Sequence, residues 1–205
     1  MPALWTSSDN LLLASTSATR LALLVSAGLS VETQSPNVDE RAIEKAARSE
    51  NLEPPALAAR LAAEKALTVS RRNPRRVVLG ADQVLACEGS VFHKVDNRDA
   101  ARLQLRTLSG RTHALHSAGA LAIGGEVVES FVATATLVMR PLTLQAIDLY
   151  LELAGPDVLH SVGIYQYEGL GIHLFEKVEG DHSTILGLPL LPLLSALRRL
   201  GCLAL

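Results

Sequence analysis

The chain has 205 residues, 48% of them hydrophobic, and a formal net charge of −2. That apolar share supplies a core and excludes a disordered chain, while the charge balance excludes a general nucleic-acid binder, which carries a basic excess or stripe. Two cysteines, Cys87 and Cys202, are too few for a disulfide framework.

No basic, apolar and small-residue leader opens the chain, and Asp9 interrupts its first stretch, so a soluble cytoplasmic protein is expected. The first strand is expected at residues 11–14. It stops at the hydroxyls of Ser15, Thr16 and Ser17, and a helical pattern runs over 19–27. Free N–H groups at a helix start attract anions, phosphate above all. Hydroxyls and Arg20 add donors suited to phosphate, although a plain Ser or Thr cap explains the segment equally well on its own. A short strand at 31–34 and a helix at 40–49 follow, with Asp39 and Glu40 at the helix start, where the dipole favours acids. A helix over 55–70 enters on Pro54-Pro55 and carries Glu64-Lys65 in an Ala- and Leu-rich run, which taken alone reads as a salt-bridged solvent face. The basic run from Arg71 to Arg76 reads as a solvated helix end. A strand is expected at 77–85, where the β-branched run closes on Gly80-Ala81 just ahead of Asp82. Ligands of α/β folds bind outside the carboxyl ends of parallel strands. A carboxylate there is available to a divalent cation or a water.

In the second half, a strand at 91–93 leads to Lys94, and a helix at 98–108 starts on Asn97 and stops before Gly110. Strands at 113–123 and 127–138 form a long hairpin around Gly124-Gly125. His113 and His116 fall on opposite faces of the first, and without a Cys/His cluster no zinc site is expected. A helix at 144–153, a strand at 171–175 and a helix at 190–200 complete the pattern. Before that last strand lies Tyr165-Gln166-Tyr167-Glu168-Gly169-Leu170-Gly171, whose glycines let backbone approach a ligand. The apolar stretch 185–205 is broken by Gly187, Pro189, Pro192, Arg198 and Arg199, so no membrane span is expected. Left exposed, it would serve a homodimer contact. No P-loop, nucleophile elbow or Rossmann fingerprint is present. The fold class is therefore α/β: one domain over 1–205, a mixed twisted sheet flanked by helices. Carboxylates (Glu40, Asp82, Glu168), cations (Arg20, Lys65, Lys94) and a phosphate-grade turn together make a toolkit for phosphoryl chemistry on a nucleotide.

Seven ordered motifs resemble the Maf family of nucleoside triphosphate pyrophosphatases. They are Leu13-Ala14-Ser15-Thr16-Ser17-Ala18-Thr19-Arg20, Asp39-Glu40, Glu64-Lys65-Ala66, Gly80-Ala81-Asp82, Lys94-Val95, Leu108-Ser109-Gly110 and Gly187-Leu188-Pro189-Leu190. Gln83, Glu168-Gly169-Leu170-Gly171 and Leu174-Phe175-Glu176 look like the branch acting on 7-methyl-GTP rather than the dTTP/UTP branch. Ala18 and Val95 stand where the family has Pro, and Thr19 where it has Arg or Trp. The resemblance implies a Maf/ITPase-like fold with two lobes around a central nucleotide cleft, and hydrolysis of the α–β phosphate bond to a nucleoside monophosphate and pyrophosphate. It implies Asp82 as general base or metal ligand, Glu40 holding Mg²⁺ or Mn²⁺ with it, and Ser15, Arg20, Lys65 and Lys94 binding the triphosphate. Thr19, Gln83 and Glu168 would set specificity. A nucleoside triphosphate is the expected partner, with neither nucleic acid nor membrane. The competing reading is a nucleotide-binding regulator of cell division without hydrolysis, which would have no need of a water-activating carboxylate.

Overall fold

The computed structural model describes residues 4–205. The elements run β1 (Leu11–Ala14), α1 (Ala18–Ser26), β2 (Val31–Thr33), α2 (Glu40–Ser49), α3 (Pro54–Ser70), β3 (Val78–Cys87), β4 (Ser90–Phe92), α4 (Arg98–Leu108), β5 (Thr112–Ile123), β6 (Glu126–Met139), α5 (Leu144–Ala154), β7 (Phe175–Glu179), α6 (His182–Ile185) and α7 (Leu190–Arg199). Two 3₁₀ turns, Pro156–His160 and Leu170–Leu174, lie between α5 and β7. The strands form one mixed sheet ordered β2-β1-β3-β5-β6-β7, with β4 also on β3. β1 runs parallel to both β2 and β3, and every other pairing is antiparallel.

β3 is the spine. One edge pairs with β5 along nearly its whole length. The other edge is shared: β1 takes residues 78–80 and β4 takes residues 85–87. Residues 81–84 between them face a gap in the sheet. The strand carries Asp82 in its interior, as the expected span 77–85 had it. It runs on to Cys87, and what ends at Gly80 is the parallel pairing with β1. The carboxylate still opens into a crevice, because β1 stops there.

Three apolar clusters fill the two lobes around this gap. Leu11, Leu13, Leu24, Leu79, Leu121, Leu193 and Leu197 pack α1 and α7 on the β1 side. Leu85, Leu105, Leu115, Leu137, Met139 and Ile147 pack α4 and α5 on the β4 side. On the opposite face, Ala58, Leu61, Ala62 and Ala66 of α3 lie on Val84, Ala118, Ala120 and Ala122. Small side chains on both surfaces bring α3 very close to the sheet. At Gly80 a Cβ would stand 2.1 Å from the Ala62 carbonyl oxygen.

Two expectations are corrected. Residues 171–175 are not a strand; the 3₁₀ turn Leu170–Leu174 occupies them and β7 follows. The chain is coiled tightly there: the Gly171 N–H donates to the Gln166 carbonyl at 3.1 Å, and a Cβ on Gly171 would lie 2.4 Å from that oxygen. The C-terminal stretch is not an exposed apolar tail. Leu193, Ala196, Leu197, Cys202 and Leu203 are buried, leaving Leu191 and Leu205 as its exposed large apolar side chains. Among the described residues no helix is long and apolar enough to cross a membrane.

His113, only 2% exposed, donates to or accepts from the Tyr165 hydroxyl at 2.8 Å through Nε2, while its Nδ1 has no partner among the described residues. Burial pushes its pKa down to about 4. The folded state thus favours neutral imidazole, so the stability is fully present above the ordinary value near 6.5 and is lost as pH falls toward about 4. The wild-type minus His113→Gln difference in unfolding free energy, read from urea titrations, is expected to change between pH 7 and pH 4 by roughly 3 kcal/mol, the variant being the less acid-sensitive. Parallel acid limbs for the two proteins would refute it.

Candidate active site

A cleft of about 880 Å³ opens over the gap in β3, a volume suited to a nucleotide-sized ligand. Thr19, Arg20, Glu40, Lys65, Asp82, Gln83, Lys94 and Glu168 all line it, so eight residues singled out from sequence meet in one place. Ser15 does not line it. Ser15 is buried behind the turn, where its Oγ accepts from the Ser17 N–H at 3.2 Å. Ser17 lines the cleft instead and caps α1 by accepting from the Arg20 N–H at 3.3 Å. The turn and the helix start are there, with Ser15 shaping them from beneath.

The floor is a three-membered charge cluster. The Lys65 ammonium lies 2.5 Å from Asp82 Oδ1 and 2.7 Å from Glu40 Oε1. Lys65 is 6% exposed and Asp82 7%, so the reading of Glu64-Lys65 as a solvated face does not hold for the lysine. The reason is helical spacing: Lys65 shares the stripe of Leu61, Ala62, Ala66 and Val69 that α3 presses on the sheet. A buried ammonium needs partners, and the two carboxylates supply them. Among the described residues Asp82 Oδ2 has no protein partner, which leaves it for a ligand. No group of three or more His, Cys, Asp or Glu side chains among the described residues is arranged to hold a metal by itself.

Arg20 forms the next wall. Its Nε donates to the Gly187 carbonyl at 2.9 Å and one terminal nitrogen to the Ala81 carbonyl at 3.0 Å. Ala81 lies where β3 has β5 on one edge and no strand on the other, and the guanidinium satisfies its carbonyl at that open edge. Burial lowers the Arg20 pKa, and the Asp82 and Glu40 charges oppose that; an arginine stays charged regardless. Gln83 points away from Asp82, as neighbours on a strand must. Its Nε2 donates to Ser117 Oγ at 2.9 Å and to the Thr184 and Ile185 carbonyls at 3.1 and 3.0 Å, tying α6 to the sheet.

The opposite wall is the segment from Ser161 to Glu168, anchored from several elements. Gln104 of α4 donates to the Val162 carbonyl and Tyr150 of α5 to the Ile164 carbonyl at 3.2 Å. Tyr165 bonds His113 and sets its ring edge-on to Phe175 at 4.8 Å. Burial pushes the Tyr150 hydroxyl up to about 12 and the Tyr165 hydroxyl higher still, so both stay protonated. Arg41, Glu44, His93 and the loop at 160–163 also line the cleft without having been proposed as site residues. Glu44 stands one helical turn beyond Glu40, a signal that spacing offered. The loop has none, because partners on distant elements hold it.

The family described as "Maf-like protein" matches residues 10–200 of the chain. The chain is 52% identical over 204 residues to a nucleoside triphosphate pyrophosphatase of Nitrobacter hamburgensis, covering 99% of this chain and all 100% of that one. It is 49% identical over 193 residues to a 7-methyl-GTP pyrophosphatase of Bartonella quintana, covering 94% and 96% of the two chains. A crystal structure of a dITP/XTP pyrophosphatase from Mycobacterium abscessus overlaps 64% of this chain and 74% of that one at 20% identity and a TM-score of 0.36, too distant a likeness to carry an argument.

Proposed function

The chain belongs to the Maf family and is a nucleoside triphosphate pyrophosphatase, a hydrolase of acid anhydrides, and from that premise we propose that it cleaves 7-methyl-GTP between the α- and β-phosphates. The observation that carries this reading is the buried Lys65 ammonium shared by Asp82 and Glu40 beside Arg20. Such a cluster places positive charge for a polyphosphate next to a carboxylate for a water.

In the proposed reaction Asp82 accepts a proton from the attacking water. The water oxygen bonds to the α-phosphorus, the bond from that phosphorus to the bridging oxygen breaks, and pyrophosphate leaves with the electron pair. Lys65, Lys94 and Arg20 offset the charge gathering on the leaving group. The turn at Ser17 and Thr19 receives a phosphate at the start of α1, with Ser15 holding its shape. Asp82 and Glu40 would hold Mg²⁺ or Mn²⁺. Two carboxylates fit an ion that takes its remaining ligands from phosphate and water, and it would supply further neutralisation of the triphosphate. Glu168 accepts from the N1–H and exocyclic amine of the guanine and balances the methylated ring's charge. Gln83, its amide nitrogen committed, has Oε1 to offer the base.

Pyrophosphate release measured on 7-methyl-GTP, GTP, dTTP and UTP with Mg²⁺ or Mn²⁺ is expected to give the highest kcat/KM on 7-methyl-GTP. A preference for dTTP or UTP would overturn the substrate. In Glu168→Gln, KM for 7-methyl-GTP should rise about tenfold with kcat nearly unchanged, the loss of one charged hydrogen-bond acceptor; an unchanged KM removes Glu168 from base reading.

A further inference from the structure

We propose that Tyr167 is the stacking platform for the base, its ring taking the face of a cationic purine while the adjacent Glu168 takes the edge. Besides the smaller imidazoles of His93 and His160, the phenyl and phenol rings of Phe92, Tyr165 and Tyr167 line the cleft. Tyr165 is buried and its hydroxyl is bound to His113, so it serves as the plug that seats the segment. Phe92 packs against the β4-side core and lies on the strand that leads to Lys94, the phosphate end of the cleft. Tyr167 is half-buried, lines the cleft and sits beside Glu168. Its ring is braced by Phe175 at 6.1 Å and His182 at 5.8 Å between centroids. A ring supported from behind and anchored through Val162, Ile164 and Tyr165 loses little freedom when a ligand lands on it, which is what stacking needs to be favourable. Methylation at N7 gives guanine a positive charge, and a cationic ring gains over a neutral one on an aromatic face. With Thr19 at the start of α1 supplying no aromatic surface, Tyr167 gives the cleft a stacking face opposite it.

The inference rests on the 7-methyl-GTP reading, so two readouts separate them. The first is quenching of the intrinsic emission of 7-methylguanosine monophosphate on titration with protein. The second is KM and kcat for 7-methyl-GTP and GTP. Wild type and Tyr167→Phe are expected to quench the emission. Tyr167→Leu, which keeps an apolar side chain against Phe175, is expected to lose the quench, raise KM for 7-methyl-GTP roughly tenfold and narrow its advantage over GTP, with kcat retained. Quenching and KM unchanged in Tyr167→Leu overturn the platform even if 7-methyl-GTP is turned over. Quenching that depends on Tyr167 without pyrophosphate release from 7-methyl-GTP upholds the platform and overturns the reaction.

Discussion

Asp82→Ala is expected to lose roughly 10²- to 10⁴-fold in pyrophosphate release, the usual contribution of a positioned proton acceptor. The loss should fall on kcat, because Arg20, Lys65 and Lys94 still meet the triphosphate. Stability is a separate matter. Asp82 is one of two carboxylates on Lys65, and Glu40, 2.7 Å from the ammonium in the native chain, is left to partner it in the variant. The reverse substitution, Lys65→Met, strands a carboxylate that is 7% exposed; breaking a buried pair from one side costs about 3–5 kcal/mol. Removing both, in Lys65→Met with Asp82→Leu, should restore much of that stability, because an apolar pair of similar volume is often neutral there, while activity stays lost. Initial rates beside urea midpoints for the three variants check this. Asp82→Ala within a few-fold of wild type would remove it from the chemistry.

Gly80→Ala is the second large effect, and it needs no charge. The added methyl would lie 2.1 Å from the Ala62 oxygen and 2.5 Å from the Ala66 nitrogen, both backbone. No rotamer relieves such a clash, so α3 must lift from the sheet. Overpacking of this kind costs about 3 kcal/mol or more. Lys65 lies between those two contacts along α3, so the shift also draws its ammonium from Asp82. A lower denaturation midpoint together with a lower kcat is the expected pair of results. A variant with unchanged stability would mean that α3 can yield without cost.

Much of this arrangement was legible in the residues. The Gly124-Gly125 turn with its flanking alternation marks the β5–β6 hairpin, and Asn97 and Thr143 cap α4 and α5 by accepting from the Ala100 and Ala146 N–H groups. Eight of the nine proposed residues meet in the cleft: Thr19, Arg20 and Glu40 come from helix starts, Lys94 and Glu168 from connections, and Lys65, Asp82 and Gln83 from the α3 and β3 interiors beside the gap. What was not legible depends on contacts across the chain. Ser15 differs from Ser17 only in which way the turn points it. Lys65 reads as surface until its neighbours at helical spacing are counted with it. The coil at 170–174 is entered through the Gln166 carbonyl, which accepts from both Gly169 and Gly171, a local turn that no periodicity announces. The loop at 160–163 is held by Gln104, 58 residues from the carbonyl it binds.

The Arg20 side chain carries a consequence for the order of assembly. Its guanidinium holds the Ala81 carbonyl 61 residues onward and the Gly187 carbonyl 167 residues onward. During synthesis the first wall of the cleft therefore leaves the ribosome long before its closing contact exists. Contacts of such sequence separation form slowly, since loop closure precedes their reward. The last strut of the cleft can close only once Gly187 is in place, so recovery of activity on refolding is expected to follow the docking of the C-terminal segment.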